Sequence, residues 1–169
     1  MMRIGVLSDT HGYLDDQLFG FFENCDEIWH AGDIGSTKVS TALQDHKKLV
    51  AVYGNIDGTD VRSQFREHQR LMRAGVEIWM THIGGYPGNY DRMIRDEIIA
   101  NPPDLFISGH SHILKVMHDK KLGLLHINPG AAGYHGIHKI RTAVRFVIAD
   151  NRIQDLDVIE LGPRSLKSG

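Results

Sequence analysis

The chain has 169 residues, 41% of them hydrophobic and 24% charged, with a formal net charge of -2 and a pI near 6.6. This composition argues against disorder and suits a single domain over residues 1–169 with a sizeable core. The small net charge supplies no dedicated field for nucleic acid or an acidic membrane, and no apolar run approaches the roughly 18 residues a membrane span needs.

Residues 3–8 form a short apolar run suited to a buried strand, and the chain meets Asp9 directly after it, too soon for a signal-peptide core. Residues 14–23 place Leu14, Leu18, Phe21 and Phe22 at helical spacing, with Asp15 and Asp16 as first-turn charges that suit the helix dipole. Cys25 is the sole cysteine, which rules out an intramolecular disulfide, fits a reducing compartment and leads us to expect a cytoplasmic protein. The thiol is expected to pack as a small buried hydrophobe. A second strand spans 27–30, a helix capped by Ser36 spans 37–46, and a third strand spans 49–53. This β-α-β-α-β rhythm predicts a parallel sheet with helices packed on it. Further on, strands at 67–73 and 75–82 meet near Ala74-Gly75, a helix at 91–100 stops before Pro102-Pro103, and a strand spans 105–107. Beta-like runs at 113–118, 123–127, 141–149 and 152–160 follow, the last two joined near Asp150-Asn151 as a hairpin. From this second half we infer a second, mixed sheet packed face to face on the first, with helices outside.

The polar residues fall at strand ends: Ser8-Asp9-Thr10-His11, Gly32-Asp33, Gly54-Asn55, Thr81-His82 and Gly109-His110-Ser111-His112. In open α/β sheets the ligand crevice lies beyond the carboxyl ends of the strands. Five strand ends therefore deliver metal-competent side chains to one edge, flanked by Gly12, Gly32, Gly54 and Gly109, which allow close backbone approach. In Asp9-x-His11 and His110-x-His112 each pair aims at one cavity if the chain is locally extended. Carboxylate, imidazole and one amide oxygen suit borderline divalent ions, and the absence of thiolate ligands speaks against a structural zinc site.

This ordered set resembles the five motifs of the calcineurin-like metallophosphoesterases. The loop Ile127-Asn128-Pro129-Gly130 and the compact length resemble the small bacterial and archaeal phosphodiesterase subgroup. The resemblance implies an α/β fold, a four-layer α/β/β/α sandwich with two mixed sheets flanked by helices. It also implies two divalent ions, Mn first, with Fe, Zn, Ni or Mg as alternatives. Asp9, His11 and His112 would hold one ion, Asn55, His82 and His110 the other, and Asp33 would bridge them. The implied activity is phosphodiester hydrolysis by a metal-bridging hydroxide that attacks phosphorus in line. A phosphomonoesterase or nucleotidase is the alternative within enzymes. A eukaryotic trafficking-complex subunit resembles the subgroup in fold and works as a protein-binding scaffold, which has no need of seven intact ligands. The implied partner is a small phosphate ester. Self-association is an expectation by analogy.

The chain departs from the family where Gly54-Asn55 continues with Ile56-Asp57. Much of the family has a histidine at the position of Ile56, near the leaving-group oxygen, and isoleucine cannot donate a proton. Asp57 is a candidate replacement donor; a turn residue is the plainer reading. Tyr86, in a Gly-rich segment 84–90 expected to be a mobile loop over the metals, and His135 are candidate substrate contacts beside Asn55. His138 shares the Gly-rich stretch of His135 and could border the cleft. His30 is expected to back the site, and His46, His68 and His118 to lie on solvated faces.

Overall fold

The computed structural model describes residues 1–165. Strand β1 is Met2–Leu7, helix α1 Gln17–Phe21, β2 Glu27–His30, α2 Thr37–His46, β3 Lys48–Ala51 and α3 Thr59–Arg62. There follow β4 His68–Arg73, β5 Val76–Thr81, β6 Gly85–Tyr86, β7 Asn89–Tyr90, α4 Arg95–Ala100 and β8 Leu105–Ile107. The chain then runs through β9 Leu114–Asp119, β10 Leu124–Pro129, β11 Ile140–Ala149 and β12 Arg152–Pro163. No helix among the described residues is long and apolar enough to cross a membrane.

Two five-stranded mixed sheets result. The first has the order β12-β11-β1-β2-β3, with β1, β2 and β3 parallel and β11 antiparallel to β1. The second has the order β4-β5-β8-β10-β9, with β5, β8 and β10 parallel and antiparallel strands at both edges. The parallel strands read as continuous apolar runs because both their faces are covered. Ile4, Val6 and Trp29 of the first sheet meet Ile78, Met80 and Ile107 of the second in one buried cluster, so the sheets pack face to face. Outside the first sheet, Ile28 and Ala51 pack against Leu18 and Phe22 of the α1 region and Val39 and Leu43 of α2. Outside the second, Trp79 and Phe106 pack against Ile94 and Ile98 at α4. Three apolar layers therefore separate four structural layers, the sandwich expected above. Each large aliphatic or aromatic side chain sealed in them contributes roughly 2 kcal/mol.

Helix α2 begins as predicted, with the Ser36 hydroxyl accepting from the Lys38 N–H at 3.2 Å. Three expectations are corrected. The β11–β12 hairpin, read with the second sheet, joins the first, where Ile4 faces Phe146 across an antiparallel pair. Segment 84–90, expected as a mobile loop, contains the β6–β7 hairpin. Asp15 is buried and precedes the short α1; its Oδ2 accepts from Arg141 Nη1 at 2.9 Å and its Oδ1 from the Gln17 N–H, so it anchors the 131–141 segment to α1.

Candidate metal centre

All five motif segments leave their strands at one edge of the sandwich. Backbone bonds carry the parallel pairing of β1 and β2 past the strand ends: Asp9 N–H donates to Gly32 O and His11 N–H to Asp33 O, both at 3.0 Å. Gly109 N–H donates to His82 O at 3.0 Å, which brings the segments after β5 and β8 together, and Gly133 N–H donates to Asp9 O at 3.0 Å. The ligand pairs are not locally extended, as the sequence reading supposed. Asp9, His11, Asp33, His110 and His112 have φ of 53°, 46°, 54°, 69° and 63°. Left-handed backbone costs a non-glycine residue roughly 1–2 kcal/mol and gathers at functional sites. The other described non-glycine residues with positive φ lie in hairpin turns (Ala74, Asp150, Asn151) or at a ladder irregularity (Asp155). Each turn reverses the chain so that Asp9 and His11 face the cavity while Thr10 between them points into the core.

Two groups of donor atoms converge: Asp9, His11 and His112, and Asp33, His82 and His110. Asp9 Oδ1 lies 3.1 Å from His112 Nε2 and 3.8 Å from His11 Nε2. Asp33 Oδ2 lies 3.2 Å from His82 Nε2 and 3.4 Å from His11 Nε2, between the two groups. Asn55 Oδ1 is 3.1 Å from His110 Nδ1, which puts the amide beside the second group. All seven candidate ligands are thus brought together.

The remaining bonds fix these side chains from behind. Ser8 Oγ donates to Asp9 Oδ2 at 2.7 Å, and the Ile56 N–H donates to Asp33 Oδ1 at 3.1 Å. His82 Nδ1 donates to Ala31 O at 2.8 Å, which leaves its Nε2 bare toward the carboxylates. Asp9 Oδ1, His11 Nε2 and His82 Nε2 are buried without a hydrogen-bond partner. Orphaned buried polar atoms are costly, and three of them here point at one another. Donor atoms about 3–4 Å apart are spaced as ligands of one cation at bond lengths of about 2.1 Å. The residues present therefore fit divalent ions.

The electrostatics agree. Burial opposes ionisation of Asp9, but His11, His112 and nearby His82 outweigh it and hold the carboxyl below its ordinary range. Burial likewise opposes ionisation of Asp33, and contact with His82 reverses the balance. His30 supports the two segments that carry these acids. Its Nε2 donates to Thr10 Oγ1 at 2.9 Å, Thr10 donates on to Ile34 O, and the Gly32 N–H donates to its Nδ1. One neutral tautomer satisfies all three bonds, and complete burial lowers the ring's pKa to about 4 against the pull of Asp57 and Asp9.

Glycines press on the ligands. A Cβ at Gly32 would sit 2.6 Å from His82 Nδ1, and one at Gly109 would sit 2.9 Å from Asp9 Oδ2. Asp57 has a different part from the one expected. It is 4% exposed, and its carboxylate accepts from the N–H groups of Ile34, Gly35 and Gly54 at 3.1, 2.7 and 2.8 Å. It ties the segment after β3 to the segment after β2, and both oxygens are engaged away from the mouth. The role of proton donor is therefore withdrawn. His135 is exposed and stacks on His11, ring centroids 4.6 Å apart. His138 is buried edge-on to His112, its Nε2 donating to Gly133 O. His46, expected in solvent, is half-buried against Phe19, with its Nε2 3.0 Å from that residue's carbonyl. Tyr86 stands off the ligands, on a neighbouring cavity that His110 borders. That cavity's Arg92, Arg95, Lys115 and His126 carried no sequence signal beyond their proximity to the Gly-rich hairpin, the Gly-His-x-His segment and the Ile127-Asn128-Pro129-Gly130 loop.

Residues 2–151 match the calcineurin-like phosphoesterase superfamily domain. A protein of Methanocaldococcus jannaschii named a probable metallophosphoesterase is 32% identical over 137 residues, covering 77% of this chain and 68% of its own. A phosphodiesterase of the same organism is 28% identical over 79% of this chain and 86% of its own. Among solved structures, Chaetomium thermophilum Vps29 superposes with a TM-score of 0.72 at 11% identity, over 95% of this chain and 97% of that one, a likeness of fold alone.

Proposed function

The chain belongs to the calcineurin-like phosphoesterase superfamily, and from that premise we propose that it is a dinuclear metal-dependent phosphodiesterase. Asp33 carries this reading, because its Oδ2 lies within 3.4 Å of one histidine from each donor group. Asp9, His11 and His112 would hold one ion, Asn55, His82 and His110 the other, with Asp33 shared. Two ions so held supply a water of lowered pKa and Lewis acidity toward phosphoryl oxygens. The chain's own residues set the stage. Ile56 N–H turns Asp33 so that only Oδ2 is free, and Ala31 O fixes the His82 tautomer. The left-handed turns hold the ligands before substrate arrives, so no reorganisation is needed at the moment of reaction. His135, exposed over His11, is positioned to meet the substrate at the mouth.

Imidazole, carboxylate and amide donors suit borderline divalent ions, of which Mn is taken first on the family resemblance, and the lone buried cysteine agrees with a cytoplasmic setting. The diester preference follows the relative named a phosphodiesterase. A second reading, a non-catalytic protein-binding scaffold, draws on the likeness of fold to Vps29. The test is hydrolysis of bis-p-nitrophenyl phosphate after metal stripping and Mn addition, wild type against Asp33→Asn. Mn-dependent turnover that is lost in the variant is expected. Absent turnover of both the diester and p-nitrophenyl phosphate would overturn the enzyme reading in favour of the scaffold, equal diester turnover in the two proteins would take the chemistry off Asp33, and turnover of p-nitrophenyl phosphate alone would make it a monoesterase.

A further inference from the structure

Beside the donor groups lies a cavity of about 380 Å³, within the usual size of small-molecule sites. One side is the β6–β7 hairpin and the start of α4; the other is the loop after β8 with β9 and β10. His110 borders it, so it opens directly beside the second donor group. Its lining includes three cations, Arg92, Arg95 and Lys115, against one carboxylate, Asp91. That carboxylate already accepts from the Met93 N–H at 2.9 Å. No ion pair involves any of the three cations among the described residues. In a chain with a net charge of -2, three unpaired cations in one cavity are a local excess.

The cavity is built. Arg95 is oriented by two bonds from its guanidinium to Tyr90 O, at 3.0 and 3.3 Å. The Tyr90 hydroxyl donates to Asp119 at 2.7 Å, which ties the hairpin to the end of β9. Lys115 Nζ sits 3.8 Å from the Tyr86 ring centroid, a cation–π contact that holds the ammonium at the wall. On the floor, His126 is 1% exposed and donates from Nδ1 to Phe106 O at 3.2 Å. Its Nε2 makes no hydrogen bond among the described residues and is free to accept one. A cationic rim over a buried neutral acceptor suits a phosphate carried next to a hydroxyl.

We infer that this cavity binds a second, phosphate-bearing half of the substrate, a phosphorylated sugar alcohol attached through the ester that the donor groups receive. The inference rests on the phosphodiesterase reading, and binding tests it apart from turnover. Calorimetry on the Mn-loaded protein should show uridine 3′,5′-bisphosphate, whose 2′-hydroxyl stands beside the 3′-phosphate, binding about tenfold or more tighter than uridine 5′-monophosphate at low salt. In Lys115→Gln and Arg92→Gln, checked for a wild-type thermal melt, most of that advantage should vanish. Equal affinity for the two ligands in the wild type overturns the inference. So does an advantage that survives both substitutions. Bis-p-nitrophenyl phosphate carries no second phosphate, so its hydrolysis reports on the catalytic reading alone. Failure there with the bisphosphate advantage intact removes the enzyme and keeps the cavity; the converse removes only the cavity.

Discussion

Gly54→Ala should disable the centre while leaving the sandwich folded. Gly54 lies after β3, directly before Asn55, and its φ lies outside the left-handed region, so alanine is compatible with its backbone. The obstacle is steric. A Cβ there would stand 2.8 Å from Asp33 Cγ and closer still to Asp33 Oδ1 and N. The backbone cannot easily yield, because the Gly54 N–H is held by Asp57 Oδ2 at 2.8 Å and Asp57 is tied to Ile34 and Gly35. Asp33 must therefore retreat by about 1 Å, breaking its bond from Ile56 N–H and moving Oδ2 from between His11 and His82. A misplacement of that size costs on the order of 100-fold in rate. Overpacking by one methyl costs about 1–3 kcal/mol, a Tm loss of roughly 2–12 °C for a chain of this size. The assay is kcat on bis-p-nitrophenyl phosphate at saturating Mn, with metal content and a thermal melt on the same preparation. Gly20→Ala is the control, since nothing lies within 4 Å of its added Cβ. Gly54→Ala turnover within threefold of wild type, at full metal content, would refute the argument that this glycine makes room for Asp33.

Asp57→Asn keeps the size of the side chain but turns one acceptor oxygen into a donor that faces backbone N–H groups. It should cost about 2–3 kcal/mol in urea unfolding, and an unchanged midpoint would remove the clamp assigned to Asp57. His126 governs part of the acid response. Burial lowers its pKa to about 4 from 6.5, so between those values the unfolded chain binds the proton and the folded chain does not. Its contribution is therefore complete above about pH 6.5 and is lost as pH falls toward 4, about 3 kcal/mol in all. In His126→Leu the difference in unfolding free energy between pH 7 and pH 4.5 should shrink by about 2–2.5 kcal/mol, the part of that change that falls within the window; an identical difference in both proteins would sink the assignment.

The ligands were legible in the sequence because their chemistry needs particular side chains at strand ends, and strand ends can be read from apolar runs. Glu27–His30, Thr37–His46 and Leu105–Ile107 fall where the pattern placed them. What local pattern could not supply was partnership. Alternation marks 141–149 as a strand, but the pairing of Phe146 with Ile4 joins residues far apart in the chain, and register of that kind has no local signal. The β6–β7 hairpin did have one: Tyr86-Pro87-Gly88-Asn89 puts proline second and a positive-φ glycine third, the requirement of a type II turn. Asp57 lies in the turn that was the plainer reading, its N–H donating to Gly54 O at 3.2 Å, but its clamp had no local signal. The missing histidine at Ile56 made it a candidate donor, whereas its three bonds go to backbone groups that only the folded chain brings near.

Backbone strain at the ligands was invisible for the same reason, and it makes a final prediction. Long-range bonds such as Asp9 N–H to Gly32 O and His11 N–H to Asp33 O hold these turns in place. Strain should then be separable from ligation at His110, which is exposed and has a φ of 69°. His110→Ala and His110→Gly both remove the imidazole and should lose turnover and metal affinity alike. Alanine keeps the left-handed penalty of roughly 1–2 kcal/mol, and glycine escapes it at a cost of about 0.5–1 kcal/mol in chain entropy. The glycine variant should therefore unfold at higher urea, by about 0.5–1 kcal/mol, although neither protein works. If alanine is the more stable of the two, the turn is not strained, and the ligand geometry rests on side-chain contacts alone.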